Sequence, residues 1–383
     1  MFEILTLNKI SKSGLAHFPE EFACSETAEN PDAVIVRSAA MHDMEFAPNL
    51  LAIARAGAGV NNIPVDRCTE QGICVFNTPG ANANAVKELV ICALFLASRK
   101  ITKGSEWCQT LKGCENVSKA VEKGKSSFAG PEIMGKTLGV IGLGAIGIKV
   151  ANAADALGMK VIGYDPFITD NTRNALSEEI TVTADVDDIF AASDYITLHA
   201  PLTDSTKGII GKDNFAKCKD GVRVLNFARG ELVANQDMID ALATGKCAAY
   251  ATDFPTDEQL GVDGVIAIPH LGASTPEAEE NCAVMAVEQL AAFLTDGIIK
   301  NSVNLPNLSA DRNGKVRITV ITKGDAAEAL KTSFAEAGIT LNGFVSAVKK
   351  GAGYAIADTD TDITDEMLEI IKSLDSVTAI RIL

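Results

Sequence analysis

The chain is 383 residues long, 47% hydrophobic with only 5% aromatics, and carries a formal charge of −16. That length buries two or three ordinary cores, and 34 Lys plus Arg against 50 Asp plus Glu exclude nucleic acid or an anionic bilayer as the main partner. Nine cysteines scattered without a CxxC pair or a nearby His predict reduced, mostly buried thiols and no metal site. Together with the lack of a basic signal region or a membrane-length apolar run, they predict a cytoplasmic protein.

In chain order, ILTLN, AVIVRS, LLAIAR and ICVFN predict strands of a first α/β unit, and AVKELVICALFLASRKITKG from Ala85 predicts a long helix. From about residue 137, TLGVIG, KVIGYD, DYITLHA, VRVLNFA, CAAYATDF and VIAIPH alternate with helical patterns. Such repetition predicts a parallel, doubly wound sheet. Thr275 followed by Pro276, Glu277 and Glu279 predicts the start of a helix that runs to about Asp296. NSVNLPNLSADRNG then reads as a polar linker. Residues 316–383 follow the order βαββαβ, which predicts a ferredoxin-like antiparallel sheet with two helices on one face.

The sharpest local motif is GLGAIG, Gly142 to Gly147, placed between a predicted strand and a predicted helix. Gly142 permits the tight turn, Gly144 lets backbone approach a pyrophosphate, and Gly147 permits close packing of helix on strand. The helix start, at Ala145 and Ile146, supplies N–H donors to an anion. Asp165 ends the next strand, where its carboxylate can accept from ribose hydroxyls and repel a 2′-phosphate, so NAD is expected rather than NADP.

Four histidines narrow the acid and base candidates. His17 and His42 lie in polar loops and read as surface residues. His199, ending a strand ahead of Ala200 and Pro201, suits a positioning or cofactor-loop role. His270, in IAIPHLGAST, ends a strand at the edge where ligands bind. Arg229 in NFARGELV and the acidic segment DFPTDE follow strands of the same predicted sheet. An Arg to pair a carboxylate and polarise a carbonyl, a His to move a proton and a carboxylate to support the imidazole suit a 2-oxo acid.

NFARGELV, TLHAPLT, GKTLGVIGLGAIG, PHLGAST and NTPGANANAVKELV resemble the D-isomer-specific 2-hydroxyacid dehydrogenases over nearly all of residues 1–305. The resemblance implies a catalytic Arg229, an acid/base His270, a nicotinamide-side Asp253 and a catalytic Glu258. The valine usual after that Asp is missing here, which makes Asp257 the alternative to Glu258. It further implies cofactor contacts from Ala228 and Gly272, and a homodimer or homotetramer through the nucleotide domains. Within the family the chain looks most like the branch that oxidises D-3-phosphoglycerate in the first step of phosphorylated serine biosynthesis, whose arginines fall on Arg37, beside Ser38, and on Arg55. Backbone N–H groups from Ala56 through Gly57 and Ala58 to Gly59 offer an anion nest, and Lys87 is a further cation. Glyoxylate or hydroxypyruvate reduction and D-lactate oxidation are the alternative activities, and a non-catalytic NAD-sensing scaffold is the distant one. The expected division is a flavodoxin-like substrate domain (1–99 and 275–305), an inserted NAD domain (100–274) and a C-terminal domain (312–383) that resembles ACT modules without the His, Asn and Pro-Gly pattern of serine-responsive ones.

Overall fold

The computed structural model describes residues 1–383 and divides into two compact units, Met1–Asn82 with Pro276–Leu383, and Ala83–Thr275. The first unit opens with β1 (Phe2–Leu7), α1 (Lys12–Leu15), β2 (Phe22–Ser25), β3 (Ala33–Val36), β4 (Ala52–Arg55), α2 (Val65–Glu70) and β5 (Cys74–Phe76). These strands form a parallel sheet in the order β2-β1-β3-β4-β5. Every residue of β3 is buried, which is why AVIV reads as an unbroken apolar run: both faces of a parallel strand are covered.

The second unit contains α3 (Ala83–Ser98), α4 (Ile101–Thr110), α5 (Val117–Gly124), β6 (Thr137–Ile141), α6 (Ala145–Ala156), β7 (Lys160–Tyr164), α7 (Asp170–Asn174) and β8 (Thr181–Thr183). It continues through α8 (Val186–Ala192), β9 (Tyr195–Leu198), α9 (Lys212–Lys217), β10 (Val222–Asn226), α10 (Asn235–Ala243), β11 (Cys247–Thr252) and β12 (Val265–Ala267). Its sheet is parallel with the order β12-β11-β10-β9-β6-β7-β8. The chain winds one way from β6 to β8 and the other way from β9 to β12. The switch point, where a doubly wound sheet opens a crevice, therefore lies at the ends of β6 and β9.

Two expectations are corrected here. The long helix from Ala85 is two helices, broken at Arg99–Lys100, because α3 buries Val86, Val90, Ala93 and Leu94 whereas α4 buries nothing. Those α3 residues share a core with Leu138 and Val140 of β6, so the unit boundary falls after Asn82 rather than near residue 99. Cys92 faces outward from the same helix; Cys24, Cys108 and Cys114 are also exposed, and the other five cysteines are buried, all nine free.

The chain returns to the first unit with α11 (Pro276–Asp296), β13 (Val316–Lys323), α12 (Ala327–Glu336), β14 (Leu341–Lys349), β15 (Ala352–Thr359), α13 (Asp365–Lys372) and β16 (Val377–Ile382). The four strands form an antiparallel sheet in the order β14-β15-β13-β16, as the βαββαβ pattern predicts. One face packs on Leu330, Phe334 and Ile371 of α12 and α13. The other face contributes Ile321, Tyr354 and Ile356 to a core shared with Phe76, Leu290 and Phe293. For this reason β15 is buried along its whole length, and the C-terminal region does not separate as a body of its own. Tyr354 donates to the Gly297 carbonyl at 2.7 Å, Arg381 to those of Phe293 and Leu294, and Arg317 to that of Asp296 at 3.0 Å; the Phe293 carbonyl also accepts from the Gly297 N–H, and the others are carbonyls that the end of α11 leaves open. Arg317 also forks onto both oxygens of buried Asp358 at 2.8 and 2.9 Å.

The segment expected to be a polar linker is anchored instead. Asn304 accepts from the Val75 N–H and donates to the Ile73 carbonyl, both at 2.9 Å, and Ser302 donates to the Val75 carbonyl. Its polar side chains cover the open edge of β5, an edge that otherwise invites unwanted strand pairing. No helix of the chain is long and apolar enough to cross a membrane.

Candidate functional site

Within the second unit the GLGAIG loop follows β6 and opens α6, as its spacing predicts. Gly142 has φ +95°, and a Cβ there would lie 2.7 Å from the Ala200 nitrogen and the His199 carbonyl carbon. A Cβ on Gly147 would lie 1.9 Å from the Gly142 oxygen, so this glycine is required by packing. Gly144, the N-cap of α6, faces open space with nothing within 4 Å of its virtual Cβ, and no side chain caps the helix. The result is an uncapped helix start under an open backbone cradle, which fits a dinucleotide pyrophosphate. Asp165 joins the cradle from the end of β7: Oδ2 accepts from the Leu143 N–H and Oδ1 from the Phe167 N–H, each at 2.9 Å. Each oxygen retains a lone pair for a ribose hydroxyl.

His199 follows β9 across the switch point. Its Nε2 lies 3.0 Å from the Thr197 hydroxyl, its Nδ1 is buried without a partner, and burial pushes its pKa down to about 3. The ring is therefore neutral at physiological pH, which suits positioning rather than proton transfer. Asp253, just past β11, is also buried with an unpartnered Oδ1. Burial raises its carboxyl above the usual carboxylate range, with His270 and Arg229 pulling the other way. Each of these buried orphan polar atoms, past the same end of the parallel sheet, fits a ligand that supplies its partner.

His270 is exposed and makes no hydrogen bond; the Phe254 ring lies against it, with centroids 4.6 Å apart. Arg229 is exposed and donates to the Ala228 carbonyl at 2.6 Å. Buried Asn226, which the sequence reading passed over, donates to the Arg229 carbonyl at 2.8 Å and accepts from the Ala228 N–H, shaping the loop that presents the guanidinium. Its signal was the Asn at a strand end followed by a turn. The expected partnership between Glu258 and His270 is not made. Glu258 accepts from Asn235 at 3.2 Å on a turn stabilised by a Thr256–Gln259 capping box, and neither it nor Asp257 bonds to the ring. Phe254, rather than Asp257 or Glu258, lies against the imidazole. The carboxyl whose ionisation His270 favours is that of Asp253.

In the first unit Arg37 follows β3, and Arg55 is the last residue of its neighbour β4. Arg37 does not stand alone: its Nη1 lies 2.7 Å from Oε1 of Glu279, in the first turn of α11. Arg55 donates from Nε to the Arg37 carbonyl at 3.0 Å, and its guanidinium lies over Gly57, whose virtual Cβ would sit 2.2 Å from Nη1. The anion nest is smaller than expected, because the Ala56 N–H bonds to Val36 O and the Gly57 N–H to Arg55 O, leaving those of Ala58 and Gly59. The Ser38 N–H is taken by Asn8, whose Oδ1 also accepts from Ala39. Asn8 has φ +71° and so turns its side chain onto the Arg37 loop, a role no sequence pattern announced. Thr78 is fully buried beside this loop, its N–H bonded to Gly57 O. Lys87 lies in the other unit, 3.6 Å from Glu88.

A switch-point glycine loop, an acidic strand end and a strand-edge Arg, Asp and His set define a dinucleotide-dependent oxidoreductase domain. Comparison with known proteins makes this specific. Residues 91–272 match the NAD binding domain of D-isomer specific 2-hydroxyacid dehydrogenases. A hydroxypyruvate reductase of Thermotoga maritima is 40% identical over 271 residues, covering 68% of this chain and 83% of that one. A D-3-phosphoglycerate dehydrogenase of Archaeoglobus fulgidus is 38% identical over 290 residues, covering 72% of this chain and 52% of that protein. The chain thus spans about half the length of that curated relative. Among solved structures, an NAD⁺-bound 3-phosphoglycerate dehydrogenase of Entamoeba histolytica aligns with TM-score 0.62 at 27% identity, covering 80% of this chain and 99% of that one. The chain belongs to the D-isomer specific 2-hydroxyacid dehydrogenases.

Proposed function

We propose that the chain oxidises D-3-phosphoglycerate to 3-phosphohydroxypyruvate with NAD. The observation that carries the reading is the pair of arginines, Arg37 and Arg55, on adjacent strand ends beside the open N–H groups of Ala58 and Gly59. Two guanidiniums suit a phosphate-bearing substrate better than the small uncharged groups of lactate or glyoxylate. NAD, when bound, accepts the hydride from C2. Gly142, Gly144, Gly147 and the first N–H groups of α6 receive its pyrophosphate, Asp165 its adenosine ribose, and Asp253 its nicotinamide end, with His199, Ala200, Pro201, Ala228 and Gly272 around it.

Arg229 pairs with the substrate carboxylate and polarises the C2 oxygen, and His270 takes the hydroxyl proton. We assign the charge that supports protonated His270 to Asp253, whose own ionisation His270 favours; Glu258, hydrogen-bonded to Asn235, is the competing candidate. A second reading, hydroxypyruvate reduction, is favoured by the Arg37–Glu279 ion pair, which halves the net charge of the arginine pair, and by the similarity to the Thermotoga maritima reductase.

We further infer a cytoplasmic enzyme, in keeping with nine free cysteines, and a homodimer or homotetramer built on the second unit. There α4 and α5 bury no residue and expose Ile101 and Val117. The C-terminal sheet is read as an ACT-like module. Steady-state rates with 3-phosphoglycerate, D-glycerate and D-lactate test the substrate. Arg55→Ala should raise KM for the phosphorylated substrate at least about tenfold; an unchanged KM rejects it.

A further inference from the structure

We propose that Glu279 is a specificity-determining residue that restrains phosphate binding through Arg37. The inference rests on the reading of Arg37 and Arg55 as the substrate's anion site. Glu279 stands in the first turn of α11, where the helix dipole favours a carboxylate, and it holds Arg37 Nη1 at 2.7 Å. The side chains are 32% and 41% exposed, so the pair is reachable by a small solute and is not locked in the core. Beside it lies Arg55, bonded to the Arg37 carbonyl.

The cluster holds two positive charges and one negative one. An incoming phosphate dianion reaches Arg37 only by competing with the Glu279 carboxylate or by lying close to it, and like charges repel at that range. A substrate with a neutral C3 hydroxyl meets no such penalty. Glu279 thereby lowers preference for phosphorylated over unphosphorylated 2-hydroxy acids, and a neutral isostere releases Arg37 for the phosphate. Glu279 acts through Arg37 and touches neither the reacting carbon nor the migrating proton.

The test compares wild type, Glu279→Gln and the Glu279→Gln/Arg37→Ala double variant, with KM and kcat measured for 3-phosphoglycerate and D-glycerate. In Glu279→Gln the KM for 3-phosphoglycerate should fall about tenfold, equivalent to about 1.4 kcal/mol, with kcat and the D-glycerate KM unchanged. In the double variant that gain should vanish. Equal changes for both substrates, or none, overturn the proposal by showing Glu279 to be structural. The wild-type ratio of the two substrates reports separately on the proposed activity. A wild type that uses only D-glycerate rejects that activity, while a gain of phosphoglycerate turnover in Glu279→Gln still upholds the role of Glu279. Failure of both proteins with 3-phosphoglycerate rejects both.

Discussion

Gly144 and Gly147 sit three residues apart in one loop, yet replacing each by alanine should break different things. At Gly147 the new Cβ falls 1.9 Å from the Gly142 oxygen and 3.0 Å from its carbon. Both are backbone atoms, so the strand-to-helix turn must move as a whole. Overpacking of that kind costs about 2–3 kcal/mol, which lowers the Tm of a domain of this size by roughly 4–12 °C. At Gly144 the methyl meets nothing within 4 Å, and φ −76° with ψ −166° is open to any residue. The poorer N-cap costs about 0.5–1 kcal/mol, and the stiffer unfolded chain returns about 0.4–1 kcal/mol, so stability should stay level. The methyl does occupy the cradle above the first N–H groups of α6, and the Kd for NAD should rise at least about tenfold, or about 1.4 kcal/mol. Thermal unfolding and NAD titration by calorimetry on the two variants separate the effects. A Gly144→Ala protein that binds NAD like wild type would refute the placement of the pyrophosphate, and a Gly147→Ala protein of unchanged Tm would refute the packing argument.

Three other outcomes are expected. Asp253→Asn should lower kcat at least about hundredfold, the order of a lost acid/base contribution, and change its pH profile; if Glu258→Gln alone alters the profile, the charge assignment at His270 is wrong. Burial opposes ionisation of Asp358, but the Arg317 fork and the Asn313 N–H together outweigh it and hold the carboxyl below the usual carboxylate range. Its contribution to stability is complete above the unfolded value near pH ~3.9 and is lost as pH falls through the lower folded value. Denaturant melts should therefore show wild type weakening below pH ~4, and an Arg317→Leu/Asp358→Leu double variant losing that portion of the slope. At pH 7 Arg317→Leu alone should cost about 3–5 kcal/mol by stranding a buried carboxylate; a near-neutral effect contradicts the geometry. Truncation after Asp311 should yield a destabilised, dye-binding protein through exposure of Phe76 and Phe293, and a truncated chain as stable as the whole would show the shared core to be dispensable.

What the sequence disclosed was local. The glycine loop, Asp165 and the start of α11 are written in residues a few positions apart, where a turn, a cap or a strand end has few alternatives. The βαββαβ order of the C-terminal sheet was legible for the same reason: each element carries its own periodicity. The partner of Arg37 was not, because Glu279 is brought to it only when α11 returns to the first unit. The break after Ser98 escaped notice because α3 and α4 share helix-forming residues and differ only in burial. The segment after Asn301 looked like a linker because Ser and Asn are polar, and its polarity serves to bond the edge of β5. Glu258 followed from the resemblance, whose spacing the missing residue after Asp253 disturbs.

The bonds at the end of α11 also bear on how such chains can be recombined. Arg381, Arg317 and Tyr354 grip carbonyls of residues 293–297, and Gly297 is constrained because a Cβ there would strike Thr319 at 2.5 Å. A C-terminal module without matching side chains for that helix end would leave carbonyls unsatisfied and set an apolar sheet face against foreign side chains. The natural unit of exchange is the final turns of α11 together with everything after them, and a graft cut in the loop at 306–312 should assemble poorly even when both halves are sound.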